Sequence, residues 1–106
     1  MTPLRVVRDR RLDVDFWQLP PSAQVEFWHV LAGIRRRPFA PGPGYAVVEL
    51  RKPPRPGVRV AHFLDDGFRL LFEVDGSLLI VYGVGVRPGF YRRLDRLRDH
   101  SLEELE

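Results

Sequence analysis

The sequence contains no cysteine, no asparagine and a single lysine, Lys52. The lack of cysteine excludes disulfides and thiolate metal sites. Only His29, His62 and His100 could supply imidazole ligands, and their positions do not follow any spacing that is typical of a metal site. We therefore expect neither a bound metal nor another cofactor.

Long apolar runs are also missing. No stretch approaches the roughly 20 residues that cross a bilayer as a helix. The N-terminal residues MTPLRVVRDRR carry several charges that no apolar segment follows, so they do not have the pattern of a secretory signal. These absences predict a cytoplasmic protein without a membrane partner.

The residues that are present suit one folded domain. The chain has 106 residues, of which 44% are hydrophobic and 29% are charged, and we expect a single domain over 1–106. The net charge is +3 and the pI is about 9.9, with 16 of the 17 basic residues being arginine. This balance favours an anionic partner, either a nucleic acid or an acidic protein. A GC-rich genome or a hot habitat would account for the arginine excess equally well.

Two helices are predicted near the N-terminus. Leu12, Phe16 and Leu19 have helical spacing, and Pro20-Pro21 then separates this segment from a longer helix. One side of the longer helix is apolar through Ala23, Phe27, Val30, Leu31 and Ile34. A second side carries Val25, Trp28 and Ala32, so the helix is apolar over more than the usual stripe. Either internal packing or a partner chain would cover this second side.

The remainder of the chain reads as a sheet followed by a short helix. Strand patterns cover residues 45–51, 58–64, 67–74 and 77–87, and a further short strand is possible at residues 4–7. Phe90, Leu94 and Leu97 then recur at helical spacing. The prediction is an α+β fold, in which two N-terminal helices pack on one face of a mainly antiparallel sheet of about four strands, with a short C-terminal helix.

The turn lengths determine which side chains share a face of this sheet. A three-residue turn at residues 74–76, with Gly76 left-handed, places Arg69 and Arg87 on the face opposite Phe68 and Leu70. A two-residue turn at Asp66-Gly67 adds His62 to that face. Gly83 and Gly85 would leave room beside these side chains for a phosphate group. The alternative is a solvated face on which Arg69 pairs with Glu73.

The order of elements and one motif resemble the RelE/ParE superfamily of bacterial toxins. The motif comprises Gly67-Phe68-Arg69, then Val84-Gly85-Val86-Arg87, then Phe90-Tyr91. The resemblance covers most of the chain. It implies a toxin of a toxin–antitoxin system, with a cognate antitoxin as its protein partner.

The RelE branch of this superfamily implies an mRNA interferase that causes growth arrest. Such an endoribonuclease acts on mRNA in the ribosome without a metal, by attack of the ribose 2′-OH on the adjacent phosphate. The resemblance assigns phosphate binding to Arg69 and Arg87, and base stacking or proton transfer to Tyr91. His62 stands where RelE-type members carry a strand lysine, so it would act as the general base.

Other basic residues are predicted to bind RNA: Arg35, Arg36, Arg37, Arg51, Lys52 and Arg92. The three at residues 35–37 are equally typical of a solvated helix end. One departure from the family pattern is Val60, which stands where family nucleases often carry a second lysine. It keeps two alternatives open: a ParE-like inhibitor of DNA gyrase without catalytic activity, and a binding module of the same fold that has lost activity.

Overall fold

The computed structural model describes residues 4–65, 67–98 and 102–104. The elements in chain order are β1 (Arg5–Asp9), α1 (Leu12–Trp17), α2 (Pro21–Arg36), β2 (Tyr45–Glu49), β3 (Val58–Phe63), β4 (Phe68–Asp75), β5 (Leu78–Val86), a 3₁₀ helix (Phe90–Leu97) and β6 (Leu102–Glu104). The predicted α+β class, with two N-terminal helices and a short C-terminal helix, is confirmed.

The sheet has six strands, in the order β2-β3-β4-β5-β1-β6, where about four were expected. β1 runs parallel to β5, and β6 pairs antiparallel with β1 through Leu102–Glu104. β1 overlaps the short strand that was possible at residues 4–7, and it extends to Asp9. β6 was not expected, because a three-residue segment with two glutamates lacks the alternation that identifies a strand.

The long helix α2 forms as its sequence predicts. Pro21 occupies the first turn, and Arg35 and Arg36 lie in the last turn, where the helix dipole favours cations. All five residues of the predicted apolar side are buried: Ala23, Phe27, Val30, Leu31 and Ile34. The second apolar side is not covered by internal packing, because Val25, Trp28 and Ala32 are exposed. The prediction that internal packing covers the second side is therefore wrong for the isolated chain.

The sheet separates two hydrophobic clusters. One cluster lies under α1 and α2 and includes Phe27, Ala61, Phe63, Leu70, Phe72 and Val81. The other lies under the 3₁₀ helix and includes Val58, Val60, Leu71, Tyr82, Phe90 and Leu97. Adjacent residues such as Leu70 and Leu71 fall in different clusters because side chains alternate along a strand. The 3₁₀ helix therefore occupies the face opposite the two α-helices.

The hairpin of β4 and β5 differs from its predicted register. A two-residue turn at Gly76-Ser77 pairs Asp75 with Leu78, and a bulge between Leu71 and Phe72 shifts the register further along. The predicted faces are correct beyond the bulge, where Arg69 pairs with Gly85. They are reversed between the bulge and the turn, where Leu79 and Val81 join Phe72 beneath the helices. Gly76 is left-handed, with φ of 60°, as predicted.

Candidate nucleic-acid site

His62 and Arg69 lie directly opposite each other on neighbouring strands, on the face that carries the 3₁₀ helix. The register of β3 and β4 pairs His62 with Arg69 and Phe63 with Phe68. The connection is longer than the predicted two-residue turn, since it spans residues 64–67, of which Asp66 lies outside the described residues. Lengthening the connection by two residues preserves the alternation, so His62 stays on the face of Arg69.

Arg69 also reaches the 3₁₀ helix. Its Nη1 donates a hydrogen bond to the hydroxyl oxygen of Tyr91 at 2.7 Å, and its guanidinium carbon lies 5.8 Å from the centre of the Tyr91 ring. Phe90, the preceding residue, is fully buried and anchors this turn of the helix. Arg69 is buried, whereas Tyr91 remains 42% exposed. The aromatic ring is therefore accessible to a planar ligand next to a buried cation.

A cleft of about 340 Å³ opens beside this group. Its walls are the end of β2, the loop that follows it, β3 and the 3₁₀ helix, and they include the acidic Glu49 as well as Arg51, Lys52, His62, Tyr91 and Leu94. Two predicted catalytic residues and two predicted RNA-binding residues thus line one depression. The charges of Arg51 and Lys52 are at the exposed rim, where they would attract a polyanion.

The loop that carries Arg51 and Lys52 is fastened to the sheet by Arg55. Arg55 donates to both carboxylate oxygens of Glu73, at 2.8 Å each, and to the hydroxyl of Tyr82 and the carbonyl of Leu97. The Tyr82 hydroxyl in turn donates to Glu73 at 2.8 Å. Burial and the bond to Glu73 both raise the pKa of Tyr82. This network fixes the loop and the end of the 3₁₀ helix to one buried carboxylate.

Arg87 and Arg92 lie near the cleft but do not line it. Arg87 is exposed immediately after β5, where the last strand pair joins Val86 to Phe68. Arg92 is exposed and lines a separate groove of about 460 Å³, together with Arg11, Arg93 and Arg96. Both cations are exposed and available to a ligand that extends beyond the cleft.

Arg35, Arg36 and Arg37 are not brought to the cleft. They end α2, which packs on the other face of the sheet, and all three are exposed. Arg35 donates from Nε to the carbonyl oxygen of Leu4 at 2.6 Å, which ties the helix end to the start of β1. The structure therefore gives Arg35 a local role and leaves RNA binding at residues 35–37 as a prediction.

The two glycines of β5 do not leave the space that the sequence suggested. A β-carbon on Gly83 would lie 2.6 Å from Cδ of Arg93 and 2.8 Å from Nη1 of Arg96. A β-carbon on Gly85 would lie 2.8 Å from Nη2 of Arg93. The protein's own arginines occupy this surface, so the expected open strip for a phosphate is wrong. These arginines reach Asp15 on α1, a residue that the sequence analysis did not select.

Metal-ligating side chains do not cluster in the part of the chain that the structure describes. His29 contacts the carbonyl oxygen of Pro43 at 3.0 Å, far along the chain from His62, and His100 lies outside the described residues. None of the helices within the described ranges is long and apolar enough to cross a bilayer.

Two solved structures with a similar architecture come from toxin–antitoxin complexes or toxins. The toxin–antitoxin complex RelBE2 of Mycobacterium tuberculosis contains a chain that matches with a TM-score of 0.63 and 20% identity, over 81% of this chain and 100% of that one. A mutant of the Escherichia coli toxin RelE in its free state matches with a TM-score of 0.59 and 14% identity, over 92% of this chain and 97% of that one. The protein has a RelE-like toxin fold. No family model and no curated protein sequence matches the chain.

Proposed function

We propose that this protein is the toxin of a toxin–antitoxin pair and cleaves mRNA on the ribosome in the cytoplasm. The observation that supports this function is a cleft of a RelE-like fold that is lined by His62 and Tyr91, with Arg51 and Lys52 at its rim and the buried Arg69 bonded to Tyr91 beside it. His62, Arg69 and Tyr91 are not adjacent in sequence. The register of β3 and β4 and the packing of the 3₁₀ helix bring them together.

The proposed reaction needs no metal. His62 would accept the proton of a ribose 2′-OH, whose oxygen then bonds to the adjacent phosphorus while the bond to the 5′ oxygen of the next nucleotide breaks. The products are a 2′,3′-cyclic phosphate and a 5′-OH end. Arg69 and Arg87 would stabilise the charge that develops on the phosphorane oxygens. Tyr91 would stack on a base or give a proton to the leaving oxygen.

A direct test is to induce the protein in a host and map the 5′ ends of cellular mRNA. We expect cuts within translated codons, no such cuts with Arg87→Ala, and wild-type cutting with Arg98→Ala, which removes an exposed arginine that is outside the predicted RNA-binding set and whose partner Asp95 is also exposed. Cutting of purified programmed ribosomes should persist in EDTA. Growth arrest with intact messages would refute the nuclease.

One observation favours a function without catalysis. Val60, at the position of the second lysine in family nucleases, is fully buried in the cluster beneath the 3₁₀ helix. A charged side chain there would be desolvated, so the site has become part of the core. A ParE-like gyrase inhibitor or an inactive binding module would tolerate this change. Gyrase-dependent DNA breaks would identify the first, and normal growth the second.

The antitoxin is the second part of the proposal. Four large apolar side chains on α1 and α2 are exposed and form what we call the helical apolar surface: Val14, Trp17, Val25 and Trp28. A groove of about 610 Å³ adjoins it between β1 and α2, with Arg8 and Arg35 among its lining residues. Apolar side chains flanked by cations would suit an acidic amphipathic segment. The proposed antitoxin would cover this helical apolar surface, as one of the two alternatives from the sequence required.

A further inference from the structure

Asp15 is a buried carboxylate that receives five hydrogen bonds. It is 4% exposed. Arg93 donates from Nε and Nη2 at 3.0 and 3.2 Å, and Arg96 donates from Nη1 and Nη2 at 2.7 and 3.2 Å. The backbone N–H of Val84 donates the fifth bond at 3.1 Å. A carboxylate with this many donors is held in a fixed orientation.

These bonds connect elements on opposite faces of the sheet. Asp15 belongs to α1, while Arg93 and Arg96 belong to the 3₁₀ helix. The pairing of β5 with β1 ends at Val81, and beyond it Asp15 covers this edge of β5 by accepting from Val84. Arg96 also donates to the carbonyl of Tyr82 at 2.8 Å, on the bulged part of the strand. We call the bonds from Arg93, Arg96 and Val84 to Asp15 the clamp. The clamp therefore passes around the edge of the sheet.

Gly83 and Gly85 provide the path for the two arginines. The positions of their missing β-carbons fall within 2.8 Å of Arg93 or Arg96 atoms, and at Gly83 also within 2.8 Å of an Asp15 oxygen. Any larger residue would therefore push the guanidinium groups away from the carboxylate. The glycines, the arginines and Asp15 form one unit whose parts come from three elements.

The clamp also determines where Tyr91 lies. A 3₁₀ helix has poor hydrogen-bond geometry, so its position depends on tertiary anchors. Its anchors next to Tyr91 are the buried ring of Phe90 and Arg93, whose guanidinium carbon lies 5.7 Å from the centre of that ring. We propose that Asp15 is a positioning residue, which holds the 3₁₀ helix through Arg93 and Arg96 so that Tyr91 stays on Arg69. The catalytic consequence rests on the proposed function, but the structural claim does not.

The test compares Asp15→Asn and Gly85→Ala with the wild type. Asp15→Asn keeps the size of the side chain and removes its charge, whereas Gly85→Ala displaces Arg93 and leaves Asp15 intact. The matched control is Asp13→Asn, which removes an exposed carboxylate from the same helix. All chains carry 3-fluorotyrosine, and Tyr91→Phe assigns the ¹⁹F signal of Tyr91 among the three tyrosines. Hydrogen exchange of residues 90–97 is measured against β3 and β4.

In both test variants we expect a shifted or broadened Tyr91 signal and roughly tenfold faster exchange in residues 90–97, with β3 and β4 unchanged. Asp13→Asn should match the wild type. If the wild type cleaves mRNA, both variants should lower kcat more than they raise KM, since a displaced Tyr91 affects the reacting geometry. The proposal is overturned if the Tyr91 signal and the exchange of residues 90–97 stay unchanged, or if β3 and β4 loosen equally. If the wild type does not cleave mRNA, the proposed nuclease activity is refuted. The Tyr91 signal and the exchange of residues 90–97 still decide whether Asp15 positions the 3₁₀ helix.

Discussion

Arg69 differs from the other arginines in the described ranges because it alone is buried. Its guanidinium is fixed by the bond to Tyr91 on a strand position opposite His62, and such a preorganised cation stabilises a developing phosphorane better than one on a mobile surface chain. We expect Arg69→Ala to lower the single-turnover rate of mRNA cleavage on programmed ribosomes by roughly 10²–10³-fold, the usual effect of losing one such donor.

Two further variants separate charge from geometry at this position. Arg69→Lys keeps the charge but loses the planar fork, so it should recover only part of the rate. Arg98→Ala removes an exposed arginine whose carboxylate partner, Asp95, is also exposed, and should cleave at the wild-type rate. A full rate in Arg69→Ala would remove this residue from the mechanism.

The surroundings of Asp9 indicate how the free energy of unfolding depends on pH. Its burial alone would raise the pKa of the carboxyl, but side-chain and backbone hydrogen bonds from Arg11 at 2.9 Å outweigh this effect, so the pKa is lowered overall. Because the folded pKa lies below the unfolded one, the stabilisation is complete above about pH 4 and is lost as pH falls through the folded value. Asp9→Asn should lower the free energy of unfolding at pH 7 by about 1–3 kcal/mol.

The measurement is urea denaturation of the wild type and Asp9→Asn between pH 7 and pH 2. The difference between their unfolding free energies should be constant down to about pH 4 and shrink below it. Asp13→Asn, which changes an exposed carboxylate, should show a smaller difference at pH 7. A difference between the wild type and Asp9→Asn that grew towards low pH would contradict the assigned direction.

Among the elements, the loop between β2 and β3 is tied to the buried Glu73 by the side chain of Arg55. Arg55→Ala would leave Glu73 buried without its bidentate partner and would release residues 50–56 from the sheet. Arg55 is itself partly exposed, so water would offset some of the loss, and we expect about 1–3 kcal/mol of destabilisation.

Release of this loop has a local readout. Trypsin should cut after Arg51 faster in Arg55→Ala than in the wild type, under conditions where both proteins are more than nine-tenths folded. Arg98→Ala again serves as the control, since its exposed pair with Asp95 contributes little. Equal cleavage rates in all three proteins would show that Arg55 does not hold the loop.

The sequence predicted the elements better than their pairing. Helix α2 was predicted down to its five buried residues, because a 3.6-residue apolar period survives in any context. In the hairpin of β4 and β5 only the faces beyond the bulge were predicted correctly, because no residue near Leu71 or Phe72 signals that the partner strand has an extra residue. His62 reached the correct face although its turn was misjudged, since the error was an even number of residues.

The clamp at Asp15 escaped the sequence analysis for a different reason. Asp15 lies three residues after Leu12, on the buried side of α1, and an acid on an apolar stripe was a signal that could have been used. Its partners, however, are 78 and 81 residues away in the chain. A local pattern can show that a buried carboxylate needs donors, but it cannot say which of sixteen arginines supply them.

At the scale of the whole molecule, the two proposed surfaces lie on different faces of the sheet. The cleft with His62 and Tyr91 is on the face of the 3₁₀ helix, and the helical apolar surface is on α1 and α2. An antitoxin segment that covers only the helices would leave the cleft open. Changes in the helical apolar surface should therefore weaken antitoxin binding without affecting cleavage.

The variant that tests this separation is Trp17→Ser with Trp28→Ser. The rings are exposed by 72% and 50%, but Trp17 packs on Phe16, and Trp28 on Phe16 and Phe27, so we expect each substitution to lower the free energy of unfolding by about 0.5–1.5 kcal/mol and leave the protein folded. If these rings anchor the antitoxin, the dissociation constant of the complex should rise roughly 30-fold or more, as expected for a loss of at least about 2 kcal/mol. Calorimetric titration with the purified antitoxin measures this constant, and the cleavage rate of the free variant should match the wild type.

Phe39→Ser, which changes an exposed aromatic residue outside the helices, is the matched control. Unchanged affinity in the double variant would show that the antitoxin binds elsewhere, and a loss of cleavage would show that the two faces are coupled.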